Sequence, residues 1–565
     1  MPTFKEYQYQ RPDMESIKNE FQRLLTQFDQ ADSSGVQANI ISEINGLRNH
    51  FETMSTLVHI RHSIDTTDDY YSAENDYMDE VGPIYEGLIN QYYQSLVQSK
   101  YRNALEEKYG EQLFRIVEMT LRTFSPEVTP DLQQENKLAS QYTKLQASAK
   151  IEFQGETRNL SQMIPFLQSP DQETRKKAQE AYTGFFLEHE KEFDEIYDQM
   201  VKLRHQIAKK LGFANFIELA YARLNRSDYN AAMVADYRRQ VLENIVPIAV
   251  KLKKRQAKRL NLDSLKYYDE PLSFLTGNAT PKGDSNEIIE NGRRMYRELS
   301  PETEEFFNYM VNNELLDLVT KKGKSGGGYC TYIPKYKSPF IFSNFNGTAG
   351  DVDVLTHEAG HAFQVYLSRI FPIPEYNWPT LEACEIHSMS MEFLAWPWME
   401  LFFKEDTTKY KFSHLSGALI FIPYGVTVDE FQHWVYEHPE ATPTERKAIW
   451  RDIEKKYLPY RDYENNDLLN RGGFWLRQSH IFKNPFYYID YTLAQVCAFQ
   501  FWVKSQNKPQ QAWQDYLRLC KLGGSKSFLE LVKMANLQNP FEHGTINSVI
   551  GPIEQWLDSV DDGKL

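Results

Sequence analysis

The segment from His357 to His361, His-Glu-Ala-Gly-His, restricts the fold most, because its chemistry requires an α-helix. A helix turns about 100° per residue, so His357 and His361 share one face one turn apart. That arrangement suits two ligands of a tetrahedral zinc ion, with Glu358 beside the first as a general base. Gly360 costs a helix about 1 kcal/mol relative to alanine, which predicts another backbone or a ligand close by. The alternative is a helix with two hydrogen-bonded histidines.

A zinc site of this kind needs a third protein ligand and leaves its fourth position to water. The candidates are Glu382, Glu385 and Glu392, which lie near one face of a second predicted helix. Spacing does not choose between Glu382 and Glu385, and each candidate can equally be an ordinary helix carboxylate. His387 points roughly 200° away from Glu385, so we do not expect it to join the site.

A third cluster contains His480, Phe486, Tyr487, Tyr488 and Tyr491. The tyrosines are three and four residues apart, so a helix would present two or three hydroxyl groups together. Histidine and tyrosine are the donors expected where a tetrahedral oxyanion develops. The alternative is a set of core aromatic rings with one hydroxyl group at the surface.

Most of the chain has helical spacing, as in Phe21, Leu24, Leu25 and Phe28. Helix starts are predicted at Pro12-Asp13 and at Ser169, which can cap a helix that begins with Pro170. Short β-branched and aromatic runs at 329–333 and 339–345 predict one small sheet, and we expect no other strands. The preceding glycines, 326–328, indicate a hinge or a close backbone approach.

Bulk composition excludes several functions. The net charge of −15 argues against a nucleic-acid partner. No run of about 18 apolar residues predicts a membrane span, and residues 1–7 lack a secretory signal. Four separated cysteines predict neither disulfides nor a thiolate zinc site, so a cytoplasmic protein is expected. Nucleophile elbows, Walker loops and dinucleotide fingerprints do not occur in the sequence.

The chain resembles oligoendopeptidase F and the Pz-peptidases, of the zinc metallopeptidase family that includes thimet oligopeptidase and neurolysin. The resemblance rests on residues 347–363, 382–392, 64–66 and 485–491, and it covers nearly the whole chain.

The resemblance implies a mainly α, neurolysin-like fold, with two helical lobes around a deep central channel and a small β-sheet beside the zinc helix. Residues 1–168 would form part of one lobe. Residues 169–565 would form the catalytic metallopeptidase region, with the zinc helix near 352–367. Residues 339–345 would be the edge strand that pairs with a substrate backbone.

The resemblance also assigns site residues. It implies one Zn²⁺ per chain, bound by His357, His361 and Glu385, since the family's third ligand is a glutamate about 25 residues past the second histidine. Glu392 would orient a histidine ligand. The transition-state groups would be His480 and Tyr491, with Tyr488 also plausible.

The function expected is a cytoplasmic zinc oligoendopeptidase that cleaves internal bonds of short unstructured peptides, with Glu358 as general base. The alternatives are a peptidase that trims one terminus, like a dipeptidyl carboxypeptidase, and a peptide-binding protein with a structural zinc. The sequence does not indicate an oligomeric state.

Overall fold

The computed structural model describes residues 2–565, and helices dominate them. The α-helices, numbered along the chain, are α1 Met14–Gln30, α2 Ser34–Ile64, α3 Asp69–Gln98, α4 Arg102–Tyr109, α5 Glu111–Leu121, α6 Thr129–Ala147, α7 Leu160–Leu167, α8 Gln172–Glu188, α9 Glu190–Lys210, α10 Phe216–Arg223, α11 Ala231–Asn244, α12 Val246–Arg259, α13 Ser285–Leu299, α14 Pro301–Asn312, α15 Gly350–Ser368, α16 Leu381–Leu394, α17 Glu400–Phe403, α18 Thr407–Glu437, α19 Pro443–Tyr457, α20 Asp467–Asn470, α21 Ser479–Lys483, α22 Tyr488–Asn507, α23 Pro509–Leu522, α24 Phe528–Met534 and α25 Thr545–Ser559. The predicted mainly α fold class is confirmed.

Helix α1 shows how local sequence sets these elements. The Asp13 carboxylate accepts hydrogen bonds from the N–H groups of Glu15 and Ser16, which would otherwise lack partners in the first turn. Its apolar residues recur at three- and four-residue steps, and Phe21 and Phe28 are fully buried. The predicted helix start at Pro12-Asp13 is therefore confirmed.

The helix start predicted at Ser169 is wrong by two residues. Helix α8 begins at Gln172, and Asp171 is its cap, accepting from the N–H of Thr174. The Gln172 side chain donates to Asp269 Oδ1 at 3.1 Å. An aspartate cap competes well with a serine cap, and sequence spacing did not separate the two.

The strands form two small sheets. One is a hairpin of β1 Ile151–Phe153 and β2 Glu156–Arg158, and the other has the order β3-β5-β4 from β3 Leu316–Val319, β4 Tyr329–Ile333 and β5 Ser338–Phe345. Strand β5 pairs parallel with β3 and antiparallel with β4. The expectation that 326–345 holds the only strands is wrong, because three- and four-residue strands are too short to show a period.

The order of the strands also corrects the prediction of which strand is an edge that can pair with a substrate backbone. Strand β5 contains residues 339–345 but lies in the centre of its sheet, since β3 covers the side that sequence analysis left open. The two edges of this sheet belong to β3 and β4, which pair with opposite sides of β5. The sheet packs on α15 through both β4 and β5, so the predicted position of a small sheet beside the zinc-motif helix is confirmed.

Within residues 2–565, no helix combines the length and the apolar character needed to cross a bilayer. The four cysteines are free thiols.

Candidate metal and active site

The site is built where α15 and α16 cross at Gly360. A Cβ atom on Gly360 would lie 2.6 Å from Ser388 Cα and 2.7 Å from the His387 carbonyl oxygen. No side chain fits in that space, so the glycine lets the two helix backbones touch. The predicted close backbone approach at Gly360 is confirmed. This contact sets how far the groups on α15 stand from those on α16.

Three side chains with metal-ligand atoms meet at this crossing: His357 and His361 from α15, and Glu385 from α16. All three ligand atoms lie within 4.8 Å of one another. Glu385 Oε2 is 3.2 Å from His357 Nε2 and 3.4 Å from His361 Nε2. Zinc bonds of about 2.0–2.1 Å in a tetrahedral site place ligand atoms about 3.3 Å apart. The donor set and its spacing therefore fit a zinc ion.

Contacts behind His357 fix its ring. Its Nδ1 lies 2.7 Å from Glu392 Oε1, so Nε2 faces the cluster. The other Glu392 oxygen lies 2.7 Å from His414 Nε2, and Trp396 Nε1 donates to His414 Nδ1 at 3.1 Å. Glu392 thus has the geometry expected of an acid that orients a histidine. Sequence analysis missed His414 and Trp396, which carry no spacing signal relative to the motif.

The other two residues considered on α16 point elsewhere. Glu382 is buried outside the three-residue cluster, and neither carboxylate oxygen has a hydrogen-bond partner. Its pKa is raised well above the usual value by burial and by Asp490, while Arg226 opposes the shift. His387 is fully buried beside the Tyr516 ring, with both ring nitrogens unpartnered, and it lies outside the three-residue cluster, as its spacing predicted.

Glu358 lies beside the cluster with one free oxygen. The residue is buried, and its Oε2 has no hydrogen-bond partner. Burial raises its pKa above the usual value, and the adjacent His357 and His361 partly oppose the rise. A Cβ atom on Gly328 would lie 3.4 Å from Glu358 Oε1, so this glycine lets the start of β4 pass over the carboxylate. The close backbone approach predicted for the glycine run is found here.

The start of α22 carries the tyrosine cluster into the site. Phe486 has a φ of 66°, a conformation that costs a bulky residue about 1–2 kcal/mol. Its N–H donates to Gln432 Oε1 at 2.9 Å and its carbonyl accepts from Arg226 Nη2 at 2.6 Å. This turn places the Tyr487 hydroxyl on Glu385 Oε1, to which it donates. Sequence analysis placed Tyr487 in the cluster and assigned it no role.

His480 and Tyr491 form a second pair at this end of α22. Their Nε2 and Oη atoms are 3.0 Å apart. Gln478 Nε2 donates to His480 Nδ1 at 2.9 Å, and the Tyr424 hydroxyl donates to Gln478 Oε1 at 2.8 Å. With Nδ1 as acceptor, the His480 proton is on Nε2 and points at Tyr491. Burial lowers the His480 pKa to about 4, so the ring is neutral at pH 7.

Tyr488 takes a different position from Tyr491. Its ring lies 5.1 Å from the His480 ring and packs on Phe421 and Tyr424. It is buried, and burial raises its pKa well above the usual value. The structure thus brings Tyr487 and Tyr491 into polar contact with the site and places Tyr488 behind them.

Two cavities lie near the site. A cavity of about 460 Å³ includes Trp378, whose ring lies 6.5 Å from the His361 ring. A second, of about 480 Å³, shares Thr120, Arg223 and Asn225 with the first. Both are lined by N-terminal helices α3 and α5 and by the segment that ends α10. The first cavity therefore has room for peptide residues, and its Trp378 wall contacts the His361 ring.

Family comparisons agree with this geometry. Residues 4–124 match the family described as the peptidase M3 N-terminal domain. Residues 166–280 and 295–549 match peptidase family M3. The oligoendopeptidase F homolog of Borreliella burgdorferi is 25% identical over 443 residues, which are 72% of each chain.

Solved structures extend the likeness to the whole chain. A Pz peptidase A structure with an inhibitor is 63% identical, with a TM-score of 0.99 over 99% of this chain and 100% of that one. A candidate oligoendopeptidase F from Bacillus anthracis strain Ames is 58% identical, with a TM-score of 0.95 over 100% of both chains. The resemblance predicted from the sequence is confirmed, with the metallo-endopeptidase class that it implied. The chain belongs to peptidase family M3.

Proposed function

We propose that this protein is a zinc-dependent oligoendopeptidase that hydrolyses internal bonds of short, unstructured peptides. The observation that carries the proposal is the cluster of His357, His361 and Glu385, with the free oxygen of Glu358 beside it. A structural zinc site usually has four protein ligands, whereas three ligands leave a position open for chemistry. The three-residue cluster thus favours catalysis over a purely structural metal.

His357, His361 and Glu385 would hold the zinc ion. When bound, zinc would polarise the scissile carbonyl group and lower the pKa of a water molecule toward about 7. Ser388 donates to Glu385 Oε2 at 2.9 Å, and Glu392 contacts His357, so two residues of α16 hold ligand side chains of both helices in place. Those contacts leave the ligand atoms little freedom to rotate away.

Glu358 is the proposed general base. Its unpartnered Oε2 can accept the proton of the attacking water, and its raised pKa brings it closer to the range useful for proton transfer at neutral pH. The same carboxyl group can then deliver the proton to the leaving amine. Its position under Gly328 keeps the carboxylate next to β4, the strand edge that can pair with a peptide backbone.

Tyr491 is the proposed donor to the oxyanion, with His480 behind it. Because His480 Nε2–H points at the Tyr491 oxygen, the Tyr491 hydroxyl proton is free to point at a substrate oxygen. Gln478 and Tyr424 hold His480 in that tautomer. Tyr488 packs against the His480 ring and would position it, which makes Tyr491 the better candidate for the role left open between them.

The cavities favour short substrates. The first lies between the N-terminal helices and the segment that leads into α16, the second lies between the N-terminal helices and Lys483 of α21, and neither has room for a folded protein. The division into residues 1–168 and 169–565 stays a prediction. We also place the enzyme in the cytoplasm, because its four free thiols suit a reducing compartment.

The proposal can be tested with an internally quenched oligopeptide blocked at both ends. Internal cleavage should stop on adding a chelator and return with zinc. A zinc-loaded protein that cleaves no peptide in a varied set would overturn the proposal, and cleavage that requires a free terminus would favour a trimming peptidase.

The variant Glu358→Gln tests the general base. It should bind zinc as the wild type does and lose at least about 10²–10⁴-fold in kcat. Zinc content measured by atomic emission and turnover of the blocked peptide give both readouts. A variant that keeps near-wild-type turnover would remove Glu358 from that role.

A further inference from the structure

The cavity of about 480 Å³ contains a cation that no acid neutralises. Lys483, at the end of α21, is exposed by area, yet desolvation lowers its pKa. Because Lys483 lines this cavity, its side chain faces a space walled by protein on several sides. Among residues 2–565, no carboxylate lies within ion-pair distance of Lys483 Nζ. An unpaired ammonium in such a space needs an anionic partner.

Two further donors line the same cavity without partners. Arg223 Nη2 is buried and unpartnered, although the Nη1 atom of the same side chain bonds Glu135 at 3.0 Å. Asn90, also buried, has an unpartnered Nδ2, while its Oδ1 accepts from Gln94 Nε2 at 2.9 Å and thereby fixes the amide orientation. Three N–H donors of this kind match the acceptor oxygens of a carboxylate.

The acids of this cavity do not fill that role. Glu135 is occupied by Arg204 at 2.6 Å and by Arg223 at 3.0 Å. Glu86, exposed by area like Lys483, also lines the cavity without forming an ion pair, and desolvation raises its pKa although Arg223 opposes the shift, which favours the neutral form. The remaining unpartnered acceptor is Asn225 Oδ1, which can take an N–H from a peptide chain.

We propose that Lys483, Arg223 and Asn90 form a subsite for a carboxylate group of the peptide substrate. The proposal rests on the peptidase function argued above. Lys483 is three residues from His480 on α21, so the subsite lies about one helical turn from the group behind Tyr491. The cavity also shares Thr120, Arg223 and Asn225 with the one that reaches Trp378 beside His361. A peptide lying across the metal cluster can therefore extend one end into this subsite.

The carboxylate can come from the C-terminus or from an acidic side chain, and two sets of peptides separate these sources. One set compares a free C-terminal acid with the matching amide. The other compares Asp or Glu with Asn or Gln at each position of an end-blocked peptide. Wild-type kcat/KM should be at least about tenfold higher for the acid in one of the two sets, as expected of a charged hydrogen bond lost on neutralisation. If the C-terminus is the source, the cut should stay a fixed number of residues from it as the peptide is lengthened at its N-terminus.

Substitutions of residues that line the cavity test whether the preference for acidic peptides arises there. Lys483→Met should remove most of the acid preference, Lys483→Arg should keep it, and the matched change Glu86→Gln should keep or increase it. The preference is the ratio of kcat/KM for the acidic peptide to kcat/KM for the neutral peptide, both measured on one variant. A general loss of activity, caused by the closeness of Lys483 to His480, lowers both values and cancels in the ratio. Equal kcat/KM for acid and neutral peptides in both sets, with cleavage intact, would overturn the subsite and leave the peptidase proposal standing. A preference that survives in Lys483→Met would overturn it too. Absence of all cleavage would instead refute the proposed function.

Discussion

Replacing Gly360 with alanine should weaken both the fold and metal binding, although alanine is the better helix former. The added methyl group would lie 2.6 Å from Ser388 Cα and 2.7 Å from the His387 carbonyl oxygen. Ordinary carbon contacts are about 3.5–4.0 Å, so α15 and α16 must separate by about 1 Å. The clash involves backbone atoms, which cannot rotate away as a flexible side chain could.

Two effects of opposite sign decide the stability of this variant. Removing a glycine from a helix interior stabilises it by up to about 1 kcal/mol. Overpacking a tight contact costs about 1–3 kcal/mol. Because backbone is pressed against backbone, we expect the overpacking cost to exceed the helix gain.

Metal affinity should fall by more than stability alone explains. Glu385 is on one helix, and its histidine partners, 3.2 and 3.4 Å away, are on the other. Metal sites accept deviations of about 0.2 Å, so a shift of about 1 Å should lower zinc affinity at least about tenfold.

The assay is zinc competition against a chromophoric chelator, together with thermal unfolding of the metal-free protein. Gly46→Ala is the matched control, since Gly46 is an exposed residue inside α2 and no atom lies within 4 Å of the place that its added methyl group would take. The control should keep its zinc affinity and gain slightly in stability. If Gly360→Ala matched the control in both measurements, the reasoning about the helix crossing would be refuted.

Three further perturbations test other parts of the site. Gln478→Leu removes the donor that holds His480 in one tautomer, so kcat should fall about tenfold with little change in KM; a kcat within twofold of wild type would contradict this. Tyr487→Phe removes the hydroxyl that donates to Glu385, and zinc affinity measured by chelator competition should fall about 10–100-fold; an unchanged affinity would mean that the contact does not tune the site. Burial lowers the pKa of His433 to about 4 in the folded protein. As the pH falls, the unfolded chain therefore binds a proton at this histidine before the folded protein does. The stabilisation present at pH 7 is lost as the pH falls from about 6.5 toward 4. Between pH 7 and pH 5 the protonation of His433 should lower the free energy of unfolding of the wild type by up to about 2 kcal/mol. The Tm of His433→Gln should therefore fall less than the Tm of the wild type over that range, and equal falls would refute the assignment.

The helical spacing of residues in the sequence was enough to predict much of the site. A spacing of four residues puts His357 and His361 on one helix face whatever surrounds them, and Glu358 necessarily follows the first histidine. The cost of glycine in a helix likewise indicated a backbone contact at Gly360 before the partner helix was known. These features depend on helix geometry alone.

The choice between Glu382 and Glu385 required the tertiary structure. The two residues are about 60° apart around α16, so both suit one face equally well by spacing. The Gly360 contact sets the rotation of α16 against α15 and brings Glu385 to the histidines, whereas Glu382 lies outside the cluster near Asp490. The resemblance to a known family had anticipated this assignment, which the periodicity of the sequence left open.

Other features were decided only by contacts between distant segments. His414 meets Glu392 from α18, Tyr424 holds Gln478 from the same helix, and β3 and β4 cover the two sides of β5, so the edges of the sheet belong to those two strands. Sequence patterns report which face of an element is apolar, and they carry no record of which elements adjoin or in what register. The amino-acid sequence by itself therefore determined the helices and the chemical groups that they present. Tertiary packing decided which of those groups meet, because distances between elements depend on the rotation and offset of whole helices and strands.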